Sequence, residues 1–184
     1  MIIVCFLGNP GKKYSKTRHN IGYISGVYFS ESRNIPLNKK DFSSVVGYGT
    51  IDRIDVALIL PQTFMNMSGQ PVREAISFYK ADPAHLVAVH DDIELPFGEI
   101  RVKFGGGHKG HNGLRSIMAE TGTAEFHRIR FGVGRPPDER ISVSDWVLSD
   151  FMEEEIEKIK LLLPAADEMI VKLIRDIATA EAGD

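Results

Sequence analysis

Short apolar runs and segments with helical spacing take turns along these 184 residues, and that alternation confines the chain to a narrow class of folds. Residues 2–7 form a first apolar run, stopped by Gly8-Asn9-Pro10-Gly11, and read as a buried strand and a turn. Ile21, Ile24, Val27 and Tyr28 then recur at helical spacing, with Thr17 as the predicted N-cap and His19 in the first turn. Residues 33–43 read as a loop. Residues 44–51 and 55–60 read as two strands joined around Asp52-Arg53. Ser68 is expected to cap a helix with Pro71 in its first turn and Val72, Ala75, Ile76 and Tyr79 on one face. Residues 86–89 are a compact strand. Residues 100–104 alternate, with Ile100, Val102 and Phe104 on one side and Arg101 and Lys103 on the other. Residues 127–133 alternate again, with Ile129, Phe131 and Val133 inward and Arg128 and Arg130 outward. From Asp150, with Glu153 three residues on as in a capping box, apolar positions recur at 152, 156, 159, 163, 166, 170, 173 and 177. Pro164 leaves open whether this segment is one kinked helix or two. The expectation is an α/β fold in a single domain over residues 1–184, a twisted mixed β-sheet flanked by helices on both faces.

The stretch GGGHKGHNGLRSI at 105–117 does not answer any packing need. Three glycines give up backbone entropy and supply no core contacts, so they belong where the chain turns sharply or approaches a ligand. A helix begins at Leu114 and closes at Gly122, and a helix start favours anions. Other strands also end in polar residues, Asn9 after the first and Asp91 after the fourth. Ligands of open α/β sheets bind at strand ends, so these groups are expected to converge, with Asn66 reaching them from the long 61–69 connection. His19 is the natural acid–base group, and a carboxylate such as Asp91 would orient its imidazole. Each residue also has a plain structural use: Asn9 in a turn, Asn112 as N-cap of the Leu114 helix, Asp91 and Asp92 as loop caps, and His19 as a polar surface residue.

Several chemistries lack their signatures. His108 and His111 have the spacing of a metal pair but no cysteine pair or HExxH helix beside them. There is no GxGxxG fingerprint, Walker loop or Gly-x-Ser-x-Gly elbow. The single cysteine, Cys5, lies mid-strand and reads as a buried thiol in a reducing cytosol. No apolar run is long enough to span a membrane, and the start of the chain reads as a strand rather than a signal peptide. Charge is unevenly spread: residues 1–40 carry +6, 41–96 carry −5, 97–135 carry +4 and 136–184 carry −8. Two basic blocks, each with an unusual loop, suit a polyanionic partner, although solvated faces give the same pattern. By elimination the residues describe a hydrolase with a His/Asp-activated water, and asparagines and basic groups that hold a polar or anionic substrate.

LGNPG at 7–11, TRHNIG at 17–22, FMNMSG at 64–69, HDD at 90–92 and GGGHKGHNGL at 105–114 resemble, in order and spacing, the bacterial-type peptidyl-tRNA hydrolase family. That resemblance covers nearly the whole chain. It implies a cytoplasmic, monomeric esterase that cleaves the bond between a peptide and the terminal ribose of tRNA, without metal or other cofactor. It further implies His19 as the catalytic histidine, Asp91 as its paired acid and Asn9 in the reacting centre. Asn66, Asn112, Tyr14, Met65 and His111 are implied as substrate-binding residues, and Lys103, Arg130 and Lys109 as contacts to tRNA phosphates. The alternative is a non-catalytic RNA-binding member of the same fold. Two positions depart from the family pattern: Phe6 stands where glycine is usual before Leu7, and Lys109 replaces a loop glycine.

Overall fold

The computed structural model describes residues 1–182. The run IIVCF becomes β1 (Ile2–Phe6), with every side chain buried. A strand apolar on both faces needs cover on both, and β1 finds it at the centre of a seven-stranded sheet. Its neighbours are β4 (Ile54–Pro61) and β5 (Leu86–Asp92), both parallel to it. Beyond β4 lie β3 (Ser44–Ile51) and the edge strand β2 (Lys39–Asp41), both antiparallel. Beyond β5 lie β7 (His127–Gly132), parallel, and the edge strand β6 (Ile100–Phe104), antiparallel. The order β2-β3-β4-β1-β5-β7-β6 makes a mixed sheet, as expected.

Alternation divides the core in two. Ile2, Val4 and Phe6 pack with α1 (Ile21–Ser32) and α5 (Glu153–Ala182) on one face. Ile3, Cys5 and Leu7 pack with α2 (Gly69–Tyr79) and α3 (Asn112–Thr121) on the other. The chain leaves β1 for β4 on one side and returns to β5 on the other, so strand order reverses at β1. The carboxyl ends of β1, β4 and β5 therefore face an open crevice. The start of α1 presses against two of these ends. A Cβ at Gly22 would lie 2.4 Å from the Leu7 carbonyl oxygen and 2.5 Å from that of Val89. Gly26, one turn on, makes room for Phe6, whose ring also packs 6.0 Å from that of Phe29. The larger side chain at position 6 thus lies away from the crevice.

Several local expectations change. Residues 33–43 hold the short strand β2, and a short helix, α4 (Val143–Val147), follows the 134–141 turn. Thr17 does not cap α1. Residues Arg18–Asn20 form a separate 3-10 turn, and the Thr17 hydroxyl donates to the Tyr14 carbonyl instead. His19 consequently precedes α1 rather than sitting in its first turn. The Ser68 hydroxyl likewise turns back to Met65 and leaves α2 without a side-chain cap. At α5 the reciprocal half of the capping box comes from Glu155, which accepts the Met152 N–H at 2.8 Å, so Asp150 and Glu153 are not the pair. Pro164 lies inside a continuous α5, where Ile159, Leu163, Ala166 and Ile170 anchor the helix to the sheet around it. The alternation of β6 and β7 holds while its burial does not. At the sheet edge Val102 and Phe104 are exposed, whereas Arg128, on an interior strand, is buried.

Phe6→Ala is expected to destabilise the fold by about 3–5 kcal/mol, because the cavity opens between β1 and a glycine-lined helix face. Leu161→Ala, at an exposed side chain on α5, should cost about 0.5 kcal/mol or less. Urea unfolding midpoints of the two variants check the difference.

Candidate active site

Three strand ends and the glycine loop meet at one cavity of about 600 Å³. Asn9 follows β1, Met65 and Asn66 follow β4, His90 and Asp91 end β5, and His108 to Asn112 lead into α3. His19 enters from the 3-10 turn before α1.

Asp91 is the hub. Its carboxylate lies 2.9 Å from His19 Nδ1 and 2.8 Å from His111 Nε2. The second histidine has a fixed tautomer: His111 Nδ1 accepts the N–H groups of Gly113 and Leu114, so Nε2 carries the proton donated to Asp91. His111, not Asn112, is therefore the N-cap of α3. Asn112 instead accepts a bond from Arg115 at 3.2 Å and leaves its amide exposed at the cavity. His90 Nδ1 donates to the Asp91 carbonyl at 2.7 Å. Three histidines thus surround one aspartate, with ring centroids 4.9 Å apart for His19–His111 and 5.0 Å for His90–His111.

Burial and charge set distinct protonation states. Burial opposes an imidazolium at His19, but the Asp91 charge and hydrogen bond override it and raise its pKa above the ordinary 6.5. Burial also opposes the Asp91 carboxylate, and the facing imidazoles outweigh it, holding the group well below its usual range. At His90 the compensation from Asp91 and Asp92 is outweighed. Burial, then the nearby His111, push its pKa down to about 3, and it stays neutral.

His19 Nδ1 is committed to Asp91, and its Nε2 has no protein partner among the described residues. A histidine held this way can take a proton from water. The Asn9 amide lies beside it in the cavity lining, its Oδ1 accepting the Met65 N–H at 2.7 Å, which leaves the Nδ2 donors free. Asn20, which has no sequence signature of its own, locks Asn9 from behind, its side-chain amide bonding the Asn9 N–H and carbonyl at 2.9 Å each. His19, Asp91 and His111 also form a group able to hold a metal ion, with ligand atoms within 4.8 Å of one another. Their direct N···O separations are those of shared protons, however, and a cation would have to break both bonds.

Cations ring the opening in two kinds. Arg130 is tied to Asp92 at 2.8 Å and Arg135 to Glu94, so both are partly neutralised. Arg128 donates to the carbonyls of Gly106 and Gly107 and straps the glycine loop to β7, a task its alternating position did not disclose. Lys103 and Lys109 line the cavity and form no salt bridge among the described residues. Lys109 has a φ of 46°, a backbone that glycine adopts without strain. Tyr14 is the one predicted site residue outside the lining. It stands edge-on to Phe64, 6.4 Å between ring centroids, at the rim.

A buried His–Asp pair with free asparagine donors, in a crevice at the strand switch point, is the apparatus of a general-base hydrolase. The profile of the peptidyl-tRNA hydrolase family matches residues 3–182. The peptidyl-tRNA hydrolase of Geotalea daltonii is 42% identical over 174 residues, 95% of this chain and 90% of that one. That of Clostridium perfringens is 39% identical over 178 residues, 97% and 93% of the two chains. The crystal structure of the Acinetobacter baumannii peptidyl-tRNA hydrolase superposes with a TM-score of 0.89 at 35% identity, covering 98% of this chain and 91% of that one. The chain belongs to the peptidyl-tRNA hydrolase family.

The pKa shifts give opposite pH slopes to stability. Asp91, depressed in the fold, contributes stability above about pH 3.8 that is lost as pH falls through its folded pKa. His19, raised in the fold, contributes stability below about pH 6.5 that is lost as pH rises through its folded pKa. Asp91→Asn should therefore destabilise most between these values. Urea unfolding at about pH 5 and about pH 9 should show the larger wild-type advantage at the lower pH.

Proposed function

We propose that this protein hydrolyses the ester bond of peptidyl-tRNA to free peptide and tRNA. The observation that carries the reading is His19, bonded to a buried, ionised Asp91 and opening onto a cavity lined by asparagine amides. In the proposed reaction His19 Nε2 takes a proton from water as the water oxygen attacks the ester carbonyl. The Asn9 Nδ2 donors receive the developing oxyanion, strengthening as charge builds. Collapse breaks the bond to the ribose oxygen, which regains a proton from the imidazolium. Asp91 holds the Nδ1–H tautomer and offsets the transient positive charge. His111 keeps Asp91 oriented.

Asn66 and Asn112 present exposed amides to the cavity and suit the peptide backbone, with Met65 as its buried floor and Tyr14 at the rim. Backbone recognition predicts loose peptide selectivity. Lys103 and Lys109 are the cations available to tRNA phosphates, while Arg130 reaches them with a guanidinium already bonded to Asp92. No helix among the described residues is long and apolar enough to cross a membrane. The proposed setting is the cytoplasm, where the protein acts as a monomer. A purely RNA-binding role leaves the assembled His19–Asp91 pair without a use.

The test is cleavage of a defined N-blocked aminoacyl-tRNA, with and without a chelator. His19→Ala should lower kcat by about 10²–10⁴-fold with tRNA affinity retained, and the chelator should have no effect. Near-normal turnover by the variant overturns the base assignment. Lys103→Ala should raise KM and reduce the salt slope of tRNA binding by about one, whereas an unchanged slope removes it from the phosphate contacts.

A further inference from the structure

The residue before His19 is the largest fully buried side chain among the described residues. Arg18 is 2% exposed, and its guanidinium points away from the cavity into the junction between α4 and α5. Nη1 donates to the Ser149 hydroxyl at 2.8 Å and the Asp150 carbonyl at 2.6 Å. Nη2 donates to Glu155 at 2.7 Å. The same Glu155 oxygen accepts the Met152 N–H that opens α5. The guanidinium carbon lies 3.7 Å from the Trp146 ring centroid and 5.3 Å from that of Phe151. The backbone repeats the connection: Arg18 N–H donates to Ser149 and Phe151 N–H to Lys16.

These bonds hold a piece of the cavity wall. Val143, Ser144, Val147 and Leu148, on and just after α4, line the same cavity as His19. With five residues, α4 is too short to be stable by itself. Beside the backbone bonds between residues 16–18 and 149–151, its side-chain hydrogen bonds to the rest of the fold run through the Arg18 cluster and from Trp146 Nε1 to the Gly134 carbonyl at 2.9 Å. A buried guanidinium is costly unless it is paired. Nη1 and Nη2 are bonded and Nε has no hydrogen-bond partner among the described residues, so loss of the remaining bonds would leave the whole group uncompensated.

We propose that Arg18 is a positioning residue that fixes the α4 wall for substrate binding, while its neighbour His19 is fixed separately by Asp91. The inference rests on the hydrolase reading. It separates two effects that adjacent residues would otherwise share. Loss of Arg18 should weaken substrate binding, because each binding event must then order α4, and leave the chemical step intact.

The test compares wild type with Arg18→Met/Glu155→Gln, which removes both charges together and leaves no unpaired carboxylate. Trp146 is the only tryptophan, so acrylamide quenching reports on α4 directly. KM for N-blocked aminoacyl-tRNA should rise about tenfold and quenching about twofold, with kcat and the pH midpoint of kcat unchanged. Unchanged KM or unchanged quenching overturns the proposal. So does a fall in kcat with a shifted pH profile, which would make Arg18 act through His19. Ser149→Ala is a milder variant for the case in which the double variant does not fold. It loses one bond from Arg18 and one to the Trp146 carbonyl, while the guanidinium still covers the indole. A two- to threefold rise in KM with raised quenching is expected, and no rise overturns the proposal. Absence of cleavage by wild type would overturn the hydrolase reading instead, and quenching alone would then decide whether Arg18 holds α4.

Discussion

Asp91 is 2% exposed, and a buried carboxylate stays ionised only where donors replace the water it has lost. Here the donors are two imidazoles, each constrained from elsewhere. His111 is constrained by the first turn of α3, whose N–H groups occupy its Nδ1. His19 is constrained by the start of α1, which Gly22 lets settle onto the ends of β1 and β5. The carboxylate thus links two helices and a strand, and removing it would leave both histidines without their shared acceptor. The ion pair that raises the pKa of His19 is also a tertiary contact.

Around that hub the polar groups are sorted by commitment. Asn20 holds Asn9, Arg128 holds the glycine loop, Arg18 holds α4, and Asp92 holds Arg130. Each uses its hydrogen bonds on structure. The groups left without protein partners among the described residues, His19 Nε2, the Asn9 Nδ2, Asn66 and the ammonium groups of Lys103 and Lys109, face one cavity. A basic composition in residues 97–135 therefore overstates the free positive charge there. Arg130 is paired with Asp92, and Arg128, though still charged, is buried with both terminal nitrogens bonded to the glycine loop.

Periodicity made the sheet legible because both faces of β1 are covered and the apolar positions have no other use. Strand ends made the site legible because Asn9, Asp91 and the glycine run are polar where packing asks for none. Caps were less legible. Thr17, Ser68 and Asn112 all have cap chemistry, yet their backbones were claimed by 3-10 turns or by a neighbouring histidine. A histidine ring as N-cap has no distinctive spacing. Arg128 and Arg18 were illegible for a different reason. A charged residue in an alternating strand or a polar turn reads as solvent-facing, and only tertiary partners far along the chain bury it. Asn20 carries no sequence signature because its value lies in holding Asn9, eleven residues away.

The central claim is that one ionised carboxylate raises the pKa of His19 and accepts a proton from each of two imidazoles of fixed tautomer. Nitrogen-15 NMR of the imidazoles as a function of pH tests it most directly, because it reads tautomer and titration of each ring. The structure predicts a proton on Nδ1 of neutral His19 and titration above the ordinary 6.5. It predicts the Nε2–H form for His111 and no titration of His90 near neutrality. A His19 that titrates at or below 6.5, or a His111 carrying its proton on Nδ1, would contradict it.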